Sequence, residues 1–176
     1  RKISQHYIGT DGKLNVESAL LDELKKADRL YIVAAGTSYH AGLVGKNIFE
    51  KVADIPVDVE LGSEFGYHMP KLSQHPFFIF LSQSGETADS RQVLVKVNEM
   101  NLPSLTMTNV PNSTLSREAT FTMELLAGPE IAVASTKAYT AQIAVEAVLA
   151  KALGEAKGVE DAKDFDVKKQ LALAAN

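Results

Sequence analysis

Between Ser82 and Ser90 the chain reads SQSGETADS. Six of those residues supply three hydroxyls (Ser82, Ser84, Thr87), the Gln83 amide and a glycine at position 85. A glycine there permits a tight turn and a close approach of backbone to a ligand. The run follows an apolar segment and precedes a helical one, so it lies where a helix presents unpaired N–H groups and a partial positive charge. Hydroxyls and backbone amides in that setting can hold a phosphate dianion without lysine or arginine. The chain has neither GxxxxGK[ST] nor GxGxxG, which argues against an NTPase loop and a dinucleotide fingerprint. The bland alternative is a capped helix start, but capping needs only one hydroxyl.

Two further segments offer polar groups at a helix start. Gly36-Thr37-Ser38-Tyr39 could hydrogen-bond a phosphate or sugar hydroxyls, or Thr37 and Ser38 could simply begin a helix. Val133-Ala134-Ser135-Thr136-Lys137 precedes a long apolar stretch; Ser135 is favoured for binding, and Lys137 is left open. Acids and bases are less distinctive. Glu64, Glu86, Glu130 and His40 follow strands or loops, and each has an ordinary alternative as a helix-start carboxylate, surface charge or satisfied histidine. His6, His68 and His75 show no metal-ligand spacing, and no cofactor or metal is expected.

These segments need a scaffold that brings them together. Leu30–Ala35 and Phe77–Leu81 are short apolar runs of the kind buried on both faces of a parallel sheet, and Ser104–Thr108 reads as a further strand, the fourth. Val57–Leu61 alternates in polarity and is expected nearer an edge; Thr120–Leu125 is the fifth strand. Helical spacing appears over Val16–Ala27, Tyr39–Val52, Thr87–Met100 and Thr136–Leu153, with a short helix at Ser113–Ala119. Strands alternating with helices predict an α/β three-layer sandwich with a five-stranded parallel sheet in flavodoxin-like order, 2-1-3-4-5. Ligands of such sheets collect beyond the carboxyl ends of the strands, between the first and third. Gly36-Thr37-Ser38 and SQSGET both fall there. Gly154–Asp166 reads as an exposed connection to a terminal helix, VKKQLALAAN.

At 176 residues and 45% hydrophobic, the chain suits one globular domain. A net charge of −4 with scattered basic residues gives no nucleic-acid footprint. There is no cysteine, which excludes disulfides and thiolate nucleophiles. No apolar run nears the ~20 residues that cross a bilayer. A secretory signal is not visible, and a cytoplasmic setting is expected. The first residue is Arg1 rather than Met, and the expectation is a domain of a longer protein. The stretch from Thr136 carries more apolar surface than one sheet face requires, which points to packing on a partner.

In order and spacing, Gly36-Thr37-Ser38, SQSGETADS and VASTKAYTAQ resemble the first sugar isomerase (SIS) domain of the glutamine–fructose-6-phosphate aminotransferase family. The resemblance runs from about Val16 to Leu153. SQSGET marks the wider SIS superfamily, whereas GPEIAVASTK is specific to the aminotransferases. It implies that Ser82, Gln83, Ser84 and Thr87 hold a sugar phosphate, that Thr37 and Ser38 line the same pocket, and that Val133 and Ser135 contact the sugar end. The ligand implied is fructose 6-phosphate or glucosamine 6-phosphate, and the assembly a homodimer. The family commonly has Cys before the Gly-Thr-Ser triplet, where this chain has Ala35. Its isomerase base, ring-opening histidine and Schiff-base lysine belong to a second SIS domain and a C-terminal tail. The expectation is therefore a chain that holds the phosphate-binding half of a site and is catalytically incomplete. A sugar-phosphate sensor of a transcription regulator and a stand-alone phosphosugar isomerase are the rival readings; no basic helix-turn-helix supports the first.

Overall fold

The computed structural model describes residues 1–129 and 136–174. Five parallel strands, β1 (Arg29–Ala34), β2 (Val57–Leu61), β3 (Pro76–Leu81), β4 (Ser104–Thr108) and β5 (Phe121–Glu124), lie in the order β2-β1-β3-β4-β5. The three-layer architecture and the strand order are those expected from the sequence. β3 (PFFIFL) is buried at every position because it runs through the middle of the sheet between two helical layers. β2 is an edge strand, and its alternation leaves all but Val57 half-buried.

Side chains of a strand alternate between faces, and here the alternation feeds two cores. Leu30, Ile32, Phe77, Ile79, Leu81, Leu105 and Met107 pack under α2 (Ser18–Lys26), α3 (Thr37–Val52) and α7 (Thr136–Lys157). Tyr31, Val33, Phe78 and Phe80 face the other way, onto Phe65 of α4 (Gly62–Tyr67), Val93, Leu94 and Val97 of α5 (Ala88–Glu99), and Leu115 of α6 (Thr114–Glu118). Tyr31 and Phe78 stack there at a centroid separation of 5.1 Å, within the favourable range for aromatic pairs.

Several elements were not legible beforehand. α1 (Lys2–Tyr7) and α4 each have six residues, too few for a repeated apolar stripe. α1 is anchored instead by Tyr7, whose hydroxyl donates to the Glu124 carbonyl at 2.6 Å. Burial pushes that phenol up to about 12. The segment 154–166 is largely exposed, as expected, but it is helical over most of its length. α7 continues to Lys157, and α8 (Glu160–Asp164) folds back to bury Ala162. Lys151 ties this corner by donating to the Ala162 and Phe165 carbonyls at 2.6 and 2.5 Å. α9 (Val167–Ala174) is the expected terminal helix.

The apolar surplus of α7 also has an intramolecular explanation. Its buried residues include Ala141, Val145, Val148, Leu149 and Leu153, and α1, α2, α3, α8 and α9 all pack on it. The helix is covered by its own chain, so its composition is not evidence for a partner. No described helix is long and apolar enough to cross a membrane.

Candidate functional site

β1 and β3 are hydrogen-bonded neighbours, with Val33 opposite Phe80, and parallel strands are about 4.8 Å apart. The loops that leave their carboxyl ends therefore start side by side. One leads through Gly36 into α3, the other through Ser82–Thr87 into α5. Two helix N-termini thus converge on one crevice, at the point where the strand order reverses.

Among the described residues, no side chain caps either helix. At α3 the N-cap is Gly36, with φ 57° and ψ −133°, a conformation open to glycine and costly for other residues. At α5 the N-cap is Thr87, but its hydroxyl turns away from the helix and meets Ser82 Oγ at 2.8 Å. Ser82 Oγ also accepts the Gly85 N–H at 3.0 Å, and Ser84 Oγ accepts the Glu86 N–H at 3.1 Å. The hydroxyls order the loop and leave the first N–H groups of α5 without side-chain acceptors. That arrangement differs from a simple capping box, in which the hydroxyl would accept from the helix N–H groups.

The loop is held from below. Gln83 O accepts from Asn109 N at 3.1 Å and from Thr108 Oγ1 at 3.2 Å, Gly85 O accepts from Leu115 N at 3.0 Å, and Ser82 N donates to Met107 O at 3.1 Å. Gly85 has φ 69°, and a Cβ there would lie 1.9 Å from Ser113 Oγ. Only glycine gives both the turn and the space. Asn109 joins this loop to the exit of β5: its side chain accepts from Ala127 N at 3.0 Å and donates to Gly128 O at 2.8 Å. Gln83, Asn109, Gly128 and Lys2 line a cavity on that side of the loop.

The structure thus brings together Thr37, Ser38, Ser82, Gln83, Ser84 and Thr87 at one end of the sheet. Ser82 is buried, Ser38, Gln83 and Thr87 are half-buried, and Thr37 and Ser84 are exposed. Val133, Ser135 and Glu130 lie outside the described residues. Glu86 has a structural occupation: its carboxylate accepts the Thr114 N–H at 2.9 Å and the Thr114 hydroxyl at 2.6 Å. These bonds hold it below the usual carboxylate range and tie the loop to α6. Glu64 lies on α4 beside β2, lining a separate cavity with Glu60 and His68. His40 is exposed on α3, its ring edge-on to Tyr39. Lys137 is exposed and lines a cavity with Arg1 and Leu171, between α1, α7 and α9.

Sequence reasoning passed over Gln142. Its Nε2 donates to Ser38 Oγ at 2.8 Å although 104 residues separate the two. The available signal was a polar pair, Gln142 and Glu146, four residues apart within the apolar middle of the helix, Ala141–Ala150. Glu146 is fully buried against Gly45 of α3, and neither carboxyl oxygen has a hydrogen-bond partner among the described residues.

Residues 23–152 match the SIS domain family. The whole chain is 66% identical to part of a glutamine–fructose-6-phosphate aminotransferase [isomerizing] of Lactiplantibacillus plantarum, and covers 29% of that protein. It is 63% identical over 175 residues to the enzyme of the same name from Lactococcus lactis, again covering 29%. The chain therefore spans less than a third of the length of these curated relatives. Among solved structures, the C-terminal domain of glucosamine-fructose-6-phosphate aminotransferase from Francisella tularensis superposes with a TM-score of 0.88 at 34% identity. The match covers 99% of this chain and 49% of that one.

Proposed function

The chain belongs to the SIS domain family, and we propose that it is the sugar-phosphate-binding first SIS domain of a glutamine–fructose-6-phosphate aminotransferase. The parent reaction moves the amide nitrogen of glutamine onto fructose 6-phosphate and isomerises the product to glucosamine 6-phosphate. In this reading the domain anchors the hexose 6-phosphate, and the groups that move protons belong to other parts of the enzyme. The parent protein is read as a cytoplasmic homodimer.

One observation carries the reading: the Thr87 hydroxyl is turned to Ser82 while α5 stays uncapped. The phosphate would lie over the N-terminus of α5, with Ser82, Gln83, Ser84 and Thr87 around it and Thr37 and Ser38 from the adjoining loop. Val133 and Ser135 are assigned to the sugar end. The helix macrodipoles of α3 and α5 point their positive ends at the same place, which favours the dianion over the monoanion.

Calorimetric titration with glucosamine 6-phosphate and with glucosamine tests this reading. Only the phosphate ester should bind, and more weakly as pH falls below the second phosphate pKa of about 6. One hydroxyl proton of the pair is used in the Ser82–Thr87 bond, which leaves one to donate to the phosphate. A hydrogen bond to a charged group is worth about 1.5–3 kcal/mol, so Ser82→Ala, Thr87→Ala should cost at least roughly tenfold in affinity. Equal binding by wild type and double variant would exclude the site. Glucosamine 6-phosphate formation by this chain alone would exclude the view that it is catalytically incomplete.

A further inference from the structure

We propose that Gln142 is a positioning residue of this site, setting the direction in which Ser38 offers its hydroxyl proton; the proposal rests on the reading of the crevice given above. Gln142 lies on α7 with 1% of its surface exposed. Burying a primary amide is costly unless it is hydrogen-bonded. Of the residues one turn away on the helix, Ala138 and Val145 are apolar and buried, and Glu146 is the other buried polar residue of this helix. An apolar side chain would suit this environment better, so the amide is explained by what it touches.

What it touches is Ser38 Oγ, 2.8 Å from Nε2. An amide nitrogen is a donor only. Ser38 Oγ is thereby fixed as the acceptor, and its own proton must be directed elsewhere. Among the described residues no protein acceptor takes it. Ser38 is half-buried in the first turn of α3, which follows β1, the neighbour of β3; in the proposed arrangement its proton is directed into the crevice between the two loops. The ligand there is rich in acceptors: phosphate oxygens and sugar hydroxyls. Gln142 thus acts from behind, through Ser38, without touching the ligand. The polarity is specific. A carboxylate at this position would take the Ser38 proton and turn its donor away from the ligand.

The experiment is a double-mutant cycle read by titration with glucosamine 6-phosphate, with circular dichroism and urea midpoints recorded for every variant. Gln142→Leu should weaken binding about five- to tenfold, the size of one ordinary hydrogen bond. Ser38→Ala should weaken it at least as much, and the double variant should bind no more weakly than Ser38→Ala alone. Gln142→Glu keeps the size but inverts the polarity, and should bind more weakly than Gln142→Leu. A purely structural role predicts otherwise: the two losses would multiply in the double variant. That result, or wild-type affinity in a folded Gln142→Leu or Gln142→Glu protein, overturns the proposal. Should Gln142→Leu fail to fold, Gln142→Glu alone decides between the two outcomes. A wild-type chain that does not bind glucosamine 6-phosphate overturns the reading of the crevice, and this proposal with it.

Discussion

Replacing Glu146 by leucine should make the protein more stable, and increasingly so as the pH rises. Glu146 lies on α7 with no exposed surface, and both carboxyl oxygens lack partners among the described residues. The carboxyl presses on the backbone of α3 at Gly45, where a Cβ would lie 2.3 Å from Oε1. Burial raises its pKa well above the ordinary value of 4.5. The unfolded chain releases this proton near 4.5 while the folded protein keeps it, so above that pH the unfolded state binds fewer protons. The carboxyl's contribution is therefore most favourable below 4.5 and is lost as pH rises toward the folded-state pKa. The slope is about 1.4 kcal/mol per pH unit. Leucine does not titrate, and it also removes polar atoms whose lack of partners costs about 1–3 kcal/mol. Urea unfolding at pH 5, 6, 7 and 8, followed by circular dichroism, gives the comparison. Subtracting one variant from the other cancels titrations elsewhere in the chain. The difference in stability should favour leucine at pH 5 and widen by about 1.4 kcal/mol per unit for as long as the folded carboxyl stays protonated. Parallel curves, or a less stable leucine variant, would refute the reasoning.

Two glycines give further tests. Gly85→Ala combines a positive φ with overlap on Ser113 and Thr108; it should cost at least about 2 kcal/mol in urea unfolding and abolish glucosamine 6-phosphate binding. Gly154→Ala would place a Cβ 2.2 Å from the Val52 carbonyl and 2.6 Å from the Ala162 methyl. It should separate α7 from α3 and α8, cost about 1–3 kcal/mol, and leave binding intact once the protein is folded, because that corner is at the far end of α7 from Gln142.

What the sequence determined by itself was the periodic part of the fold and the local part of the site. Runs such as FFIFL and LYIVA are apolar at every position because both faces of a central parallel strand are covered, and that burial is visible residue by residue. The same alternation of strand and helix places Gly36-Thr37-Ser38 and SQSGET at one end of the sheet. Short elements such as α4 were not legible, since six residues with two glycines carry no stripe and are held by neighbours such as Ser90. The loop shows the division most clearly. Its composition says that Ser82, Ser84 and Thr87 could cap a helix or hold an anion. Only the tertiary structure turns Thr87 to Ser82 and away from α5, because the end of β4 and the start of α6 fix the Gln83 and Gly85 carbonyls. Gln142 is the same case at longer range. A polar residue in an apolar helix has no local explanation, and its partner is 104 residues away in sequence but 2.8 Å away in space.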